Sequence, residues 1–398
     1  MRKPLPRILP VVFFGIMCFL SGFAQDSTGT APEKLKKWEL KGYVKNLETF
    51  AVPGGPNTVL SDDLVHNRLN FHWYPVAGLT VDLELRTRLY FGTLVKATPG
   101  FGDSLNNSSN DIYKVSALIV NEPSLVLQTV LDRANIDYTT GKWDFRLGRQ
   151  RINWGINLVW NPNDIFNAYS FYDFDYEEHR GSDAGRITYY IDNASSIEIA
   201  AKIAETKDEI VAAALYKFNR KQYDFQFLGG VANDDAVAGW GWAGHIGGAA
   251  FKGEMSYFQP YSKLTDTVGS FSGSVSIDNV FKHNWELNVS ILYNTGGSFH
   301  ANLSDITALN ISAKNLYPYR YSVFAMVSYP VTPLLNTSLA LIYSPAGDNA
   351  VFINPDISYS ITNNWDIDLV GQLFVASFNN SQYGFKGEAI YGRLKFSF

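Results

Sequence analysis

From Leu79 to Phe91 the chain alternates. Leu79, Val81, Leu83, Leu85, Leu89 and Phe91 share one parity, and Thr80, Asp82, Glu84, Arg86 and Arg88 share the other. Successive side chains of a β-strand point to opposite faces, so this segment has one apolar face and one strongly charged face. The same period recurs at Trp285–Tyr293, Tyr319–Tyr329, Leu335–Tyr343 and Trp365–Val375. No stretch beyond the N-terminus approaches the ~18 apolar residues of a spanning helix, which excludes a helical membrane protein. An aromatic share of 15% excludes a disordered chain, which would be poor in aromatics. A soluble β-protein and a transmembrane barrel remain. The polar face meets bulk water in the first and a lumen in the second.

Two further patterns separate them. Many apolar runs begin or end in Trp or Tyr, as where aromatic belts mark the interfaces of an apolar band. The connections also alternate in length. Short gaps such as 75–78, 139–142, 192–195, 281–284, 330–333 and 362–364 alternate with a set that includes long ones at 51–62, 92–124, 155–183, 260–269 and 295–318. A barrel with tight turns at one end and loops at the other has this layout. The expected fold is all-β: a transmembrane antiparallel up-and-down β-barrel of about 18 strands over residues 38–398. The count drops to 16 if the Gly-rich stretch 229–250 holds fewer strands. Both ends of the barrel segment fall on the turn side.

The N-terminus predicts export. Arg2, Lys3 and Arg7 precede an apolar core from Ile8 to Leu20, and Ser21-Gly22-Phe23-Ala24 supplies small residues before Gln25. This is a signal peptide of residues 1–24 with cleavage after Ala24, and its core is too short for a membrane anchor. Residues 25–37 are expected to be a periplasmic segment ahead of the barrel. Cleavage removes Cys18, the only cysteine, and leaves 374 residues with 30 basic and 38 acidic side chains, a net charge of −8. No disulfide or cysteine metal site is then available.

The charges are unevenly distributed. Nine of the 12 arginines after residue 24 lie between positions 68 and 186, about a third of that length. On the alternating register Arg68, Arg86, Arg88, Arg146 and Arg186 take the lumen face, and a lipid-facing Arg at mid-membrane costs ~2–4 kcal/mol. Asp82, Glu84 and Asp144 share that wall and are expected to pair with some of them. Strict parity would place Arg149 and Arg151 on the lipid face, behind Phe145 and Leu147. A β-bulge near Gly148 would turn both inward and Ile152 and Trp154 outward. Asp132 breaks parity as well, with no resolution in the sequence. The loop at 155–183 carries Asp164, Asp173, Asp175, Glu177, Glu178 and His179, an acidic group close to the basic wall.

The chain ends Ile390-Tyr391-Gly392-Arg393-Leu394-Lys395-Phe396-Ser397-Phe398, with Ile390, Leu394, Phe396 and Phe398 on one face. This resembles bacterial outer-membrane β-barrel proteins, whose final strand commonly ends in Phe and is read by the barrel assembly machinery. The third long loop resembles that of ordinary porins, folded inward with its carboxylates facing a basic wall. Gly148-Arg149-Gln150, Trp154-Gly155 and Asn161-Pro162 ahead of the acidic loop also resemble poorly characterised outer-membrane channel families. The resemblance implies outer-membrane lipid around the barrel and passive diffusion of small solutes, and the arginine-rich wall points to a preference for anionic ones. Arg68, Arg86, Arg88, Arg146, Arg149, Arg151, Arg186, Asp82 and Glu84 would line the pore. Asp164, Asp173, Asp175 and Glu177 would form the constriction. A plugged barrel that anchors or exports surface polysaccharide is the alternative.

Nothing in the sequence points to an enzyme. Histidines 66, 72, 179, 245, 283 and 300 form no His-x-x-x-His pair. No Gly-x-Ser-x-Gly elbow, Walker loop or dinucleotide fingerprint occurs, so neither a metal nor a cofactor is expected. An acidic chain whose arginines are interleaved with carboxylates is a poor partner for nucleic acid.

Overall fold

The computed structural model describes residues 36–53, 59–106, 113–169, 171, 175, 178–179, 181–263, 267–300, 311–345, 349–376 and 385–398. Nineteen strands lie among them. The first ten are β1 (Trp38–Pro53), β2 (Leu60–Trp73), β3 (Leu79–Gly92), β4 (Ser116–Glu122), β5 (Leu125–Thr140), β6 (Trp143–Gln150), β7 (Ser182–Tyr190), β8 (Ser196–Lys202), β9 (Val211–Arg220) and β10 (Tyr223–Ala232). The rest are β11 (Asp235–Ile246), β12 (Ala249–Pro260), β13 (Ser270–Val280), β14 (Glu286–Asn294), β15 (Tyr321–Thr332), β16 (Leu335–Ser344), β17 (Ala350–Ser360), β18 (Trp365–Ala376) and β19 (Phe385–Ser397).

Each strand of the ring pairs antiparallel with its neighbours, and β19 pairs with β1, so the sheet closes. β3 pairs directly with β5, and β4 is an extra strand hydrogen-bonded to β5 alone, leaving 18 in the ring. The count read from the sequence therefore holds, and the additional strand lies inside the long 92–124 connection. Closure removes the sheet edges that would otherwise be left unpaired in lipid. At the seam the Gly42 amide donates to the Phe398 carbonyl, and the Phe398 amide donates to Gly42, both at 3.0 Å.

Alternation sets what each face meets. Along β6 Trp143, Phe145 and Leu147 are exposed, whereas Asp144 is buried. Along β2 Leu64, His66 and Arg68 are buried between half-buried residues that face outward. Short turns close one end, including the two-residue Gly247-Gly248 turn with φ of 58° and 94°, a backbone that glycine adopts without strain.

The barrel's inner face is apolar where loops lie against it. Ile152, Trp154, Ile165 and Phe166 pack with Ala200, Ala213, Leu215, Leu228, Val237 and Phe258 of β8–β12. Val159 and Trp160 pack with Leu292, Phe324, Ile342 and Phe352 of β14–β17, together with Leu316, Tyr317 and Tyr319 of the loop before β15. Two short helical segments, Thr93–Ala97 and Phe101–Asn106, cover Leu47, Leu64, Tyr90 and Val126 on β1, β2, β3 and β5.

Two local expectations need correction. The bulge is in β5 and not near Gly148. Glu84 pairs with Arg133 and Leu85 with Leu131, so Asp132 is the extra residue. A bulge puts two residues opposite one, and both Asp132 and Arg133 consequently reach the inner face, where they meet Arg86 and Glu84. β6, by contrast, keeps an unbroken register with β5 and β7 through Gly148, although that glycine has φ 116°. Ile152 and Trp154 do not face lipid either. β6 ends at Gln150, and both side chains are buried at 1% exposure inside the barrel. The Trp154 indole N–H finds a partner in Glu198 at 2.6 Å, as a buried indole requires.

Candidate functional site

The charged inner face is concentrated on β19, β1, β2, β3, β5, β6 and β7. At its centre Arg68 has no exposed surface. Its Nη1 donates to Asp132 at 2.7 Å, its Nη2 donates to Glu84, and its Nε donates to Asn70 at 3.0 Å. Arg86 donates to the other oxygen of Asp132 at 2.9 Å. Arg133 donates to Glu84 at 3.1 Å and to the Glu178 carbonyl at 2.6 Å. Three guanidiniums thus share Asp132 and Glu84, with the Glu178 carboxylate 3.8 Å from Arg68. The Asp132 bulge brings this cluster together, because it supplies adjacent inward charges of opposite sign.

The remaining wall residues are paired in order along the strands. Arg88 donates to Gln128 at 2.6 Å, Arg146 pairs with Asp137, and Arg186 donates to Asp144 at 2.9 Å. His72 and Asp82 are 2.7 Å apart. Arg149 keeps the parity of Leu147 and is nonetheless buried: it grips Asp183 through two 2.8 Å hydrogen bonds, and the Tyr113 carbonyl accepts from it at 2.7 Å. It stands apart from the Arg68 cluster. Arg151 is in the loop, with its guanidinium 5.6 Å from the centre of the Tyr169 ring.

The loop after β6 crosses the interior. The Trp154 carbonyl accepts from Gln226 of β10 at 2.8 Å, Asn157 and Asn163 reach β12 and β13, and Trp160 packs edge-on to Phe324 of β15. The chain then meets the other side of the ring. Asp175 lies 2.8 Å from the Lys45 ammonium and 3.5 Å from Arg393, and Tyr43 donates to Glu178 at 3.1 Å. Lys45, on β1, is fully buried under this contact. Asp175 would be raised by burial, but the His66 ring 3.8 Å away and the Lys45 charge outweigh that and hold it below the ordinary carboxylate range.

The expected meeting of acidic loop and arginine wall is only partly realised. Glu178 joins Arg68 and Arg133, whereas Asp175 joins Lys45 and Arg393 on the neighbouring strands. Asp164 is elsewhere: it is fully buried, with no close hydrogen-bond partner for its carboxyl oxygens among the described residues. Burial pushes it up to about 7, against the lowering effect of Arg151. Burial, with Arg151 and Arg133 nearby, brings His179 down to about 4. Asp173 and Glu177 lie outside the described residues.

Lys45, Arg393 and Glu254 were missed by an arginine-centred reading of the sequence. Each had a parity signal: Lys45 follows the outward Val44, Arg393 precedes the outward Leu394, and Glu254 shares its parity with Lys252 and Ser256. Among the described residues no three His, Cys, Asp or Glu side chains form a group that would hold a metal.

The fold matches solved bacterial barrels. Acinetobacter baumannii OccAB4 superposes with a TM-score of 0.56 at 10% identity, covering 92% of this chain and all of its own. Acinetobacter baumannii OccAB1 gives a TM-score of 0.56 at 8% identity, covering 94% of this chain and 99% of its own. Pseudomonas aeruginosa OpdK, solved with vanillate, gives 0.54 at 9% identity over 90% of this chain and 99% of its own. At this identity the likeness is one of fold. No protein-family model and no curated protein sequence matches the chain.

Proposed function

We propose that this 18-stranded barrel is an outer-membrane channel for passive diffusion of small carboxylate-bearing solutes. The single observation that carries the reading is the row of guanidiniums on β2, β3, β5, β6 and β7, each held in place by partners on the same wall. A guanidinium presents five N–H donors in a fixed fork, so a carboxylate partner leaves N–H groups to offer a passing solute. The pairing also limits net charge, so preference rests on oriented donors more than on excess positive charge.

On this reading Arg88, Arg146 and Arg186, with Asp82 and Glu84, line the path, the buried Arg68 and Arg86 brace the wall behind them, and the loop bearing Asp164 and Asp175 narrows it. A narrow opening with cationic and anionic groups held on different sides orients a dipolar solute. OpdK, which shares the fold, was solved with vanillate, an aromatic carboxylate. Residues 1–24 are proposed to direct export, with cleavage after Ala24, and Phe398 to be read by the assembly machinery.

The test is solute flux into liposomes carrying the purified barrel. Glucuronate should enter faster than glucose, and the glucosamine cation more slowly than either. Faster entry of the cation would sink the proposal. Entry of none of the three would favour a plugged barrel.

A further inference from the structure

One part of the inner wall is shaped to the loop. Glu254 projects from β12 with no exposed surface. Its Oε1 accepts the backbone N–H groups of Ile156 and Asn157, the latter at 2.7 Å, and its Oε2 accepts that of Asn163 at 3.1 Å. The neighbouring wall side chains continue the pattern. Ser256 donates to the Asn163 side chain at 2.8 Å, and Ser276 of β13 donates to that of Asn157 at 3.0 Å.

Two glycines of β11 complete this seat. A Cβ at Gly239 would stand 2.7 Å from Asn163 Oδ1, and one at Gly241 would stand 2.8 Å from Ile156 Cδ1. Real Cβ atoms do not come so close, so any side chain here would displace the loop or be displaced by it. In the sequence Gly239-Trp240-Gly241-Trp242 the tryptophans take the outward parity and the glycines the inward one. A carboxylate therefore stands where three loop N–H groups converge, and bare backbone stands where the loop comes closest.

A buried carboxylate is costly unless its oxygens are satisfied, and here loop amides satisfy them. None of these bonds belongs to the barrel's own ladder. Glu254 thus ties the loop to the wall without holding the wall itself together. We propose that Glu254 is the positioning residue of the loop: it fixes how far Ile156–Asn163 stands out from the wall, and thereby the width left for a solute. The second half of this statement rests on the channel reading above.

The experiment separates seat from channel. The only native cysteine, Cys18, is outside the barrel strands, so the pair Asn163→Cys and Ser256→Cys reports the seated loop as a disulfide. With Glu254 present the crosslink should form. In Glu254→Ala it should be lost while the barrel still shows the heat-modifiable migration of a folded protein. Glu254→Gln keeps one acceptor and turns a donor toward Asn163, and should give partial crosslinking. In planar bilayers, without the cysteine pair, Glu254→Ala should raise conductance and admit larger polyethylene glycols, whereas Gly241→Val, which pushes the loop off the wall into the lumen, should lower both. A crosslink retained in folded Glu254→Ala overturns the seat whatever the conductance. A lost crosslink with unchanged conductance and size cut-off overturns the link to width. A wild-type barrel that conducts nothing overturns the channel reading instead.

Discussion

At the residue scale, the interior separates charges that hold the wall from a charge that titrates within the loop. Asp132 belongs to the first kind. It is shared by Arg68 and Arg86, and all three are almost fully buried. Removing one partner of a buried ion pair leaves the others uncompensated, so Asp132→Asn should destabilise the barrel by about 3–5 kcal/mol, measured by urea unfolding in detergent. An unchanged midpoint would show that this cluster is hydrated and weak. Asp164 is the second kind. Its carboxyl is raised from 3.8 to about 7, with burial as the main cause. A raised carboxyl favours the seated loop when protonated. That contribution is complete below 3.8 and is lost as pH rises through about 7. His179, at about 4, remains neutral across that upper range and adds no opposing change. Crosslinking of the 163–256 cysteine pair should therefore decline between roughly pH 5 and 8, after correction for thiol reactivity. Asp164→Asn should remove that component of the decline.

At the scale of elements, the alternating strands were legible and the loops were not. The five segments read from period-two patterning fall on β3, β14, β15, β16 and β18, because the two faces of a barrel wall impose opposite demands on alternate residues. Alternation weakens where the interior is not wet. In β9–β11, Ala213, Leu215, Leu228 and Val237 face inward and are apolar because a loop covers them, so both faces look alike in sequence. The same cause hid the end of β6. Ile152 and Trp154 have the composition of lipid-facing residues, and only the depth of the loop reveals that they face Ala200 and Leu228. The Asp132 bulge left a parity fault that the sequence could register but not resolve. The arginine wall was legible as composition, while the place of Glu178 against Arg68 and of Asp175 against Lys45 and Arg393 depends on where the loop returns. The terminal strand gives a further prediction. Phe398 closes two backbone hydrogen bonds with Gly42 at the seam. Deleting Phe398 should lower the yield of folded barrel in the outer membrane, measured by heat-modifiable migration. A yield equal to that of the full chain would show that closure does not depend on it.

At the scale of the whole molecule, one ring encloses two unlike interiors. Loops pack on apolar inner surfaces along β8–β12 and β14–β17, and charged side chains dominate from β19 to β7. On the proposed reading the path for solutes runs beside the charged side, between the returning loop and the arginine row. The most direct measurement is the reversal potential of single channels in a planar bilayer under a potassium chloride gradient. The account predicts a potential displaced toward the chloride equilibrium value, with the displacement reduced in Arg88→Gln. A potential displaced toward the potassium value would contradict it.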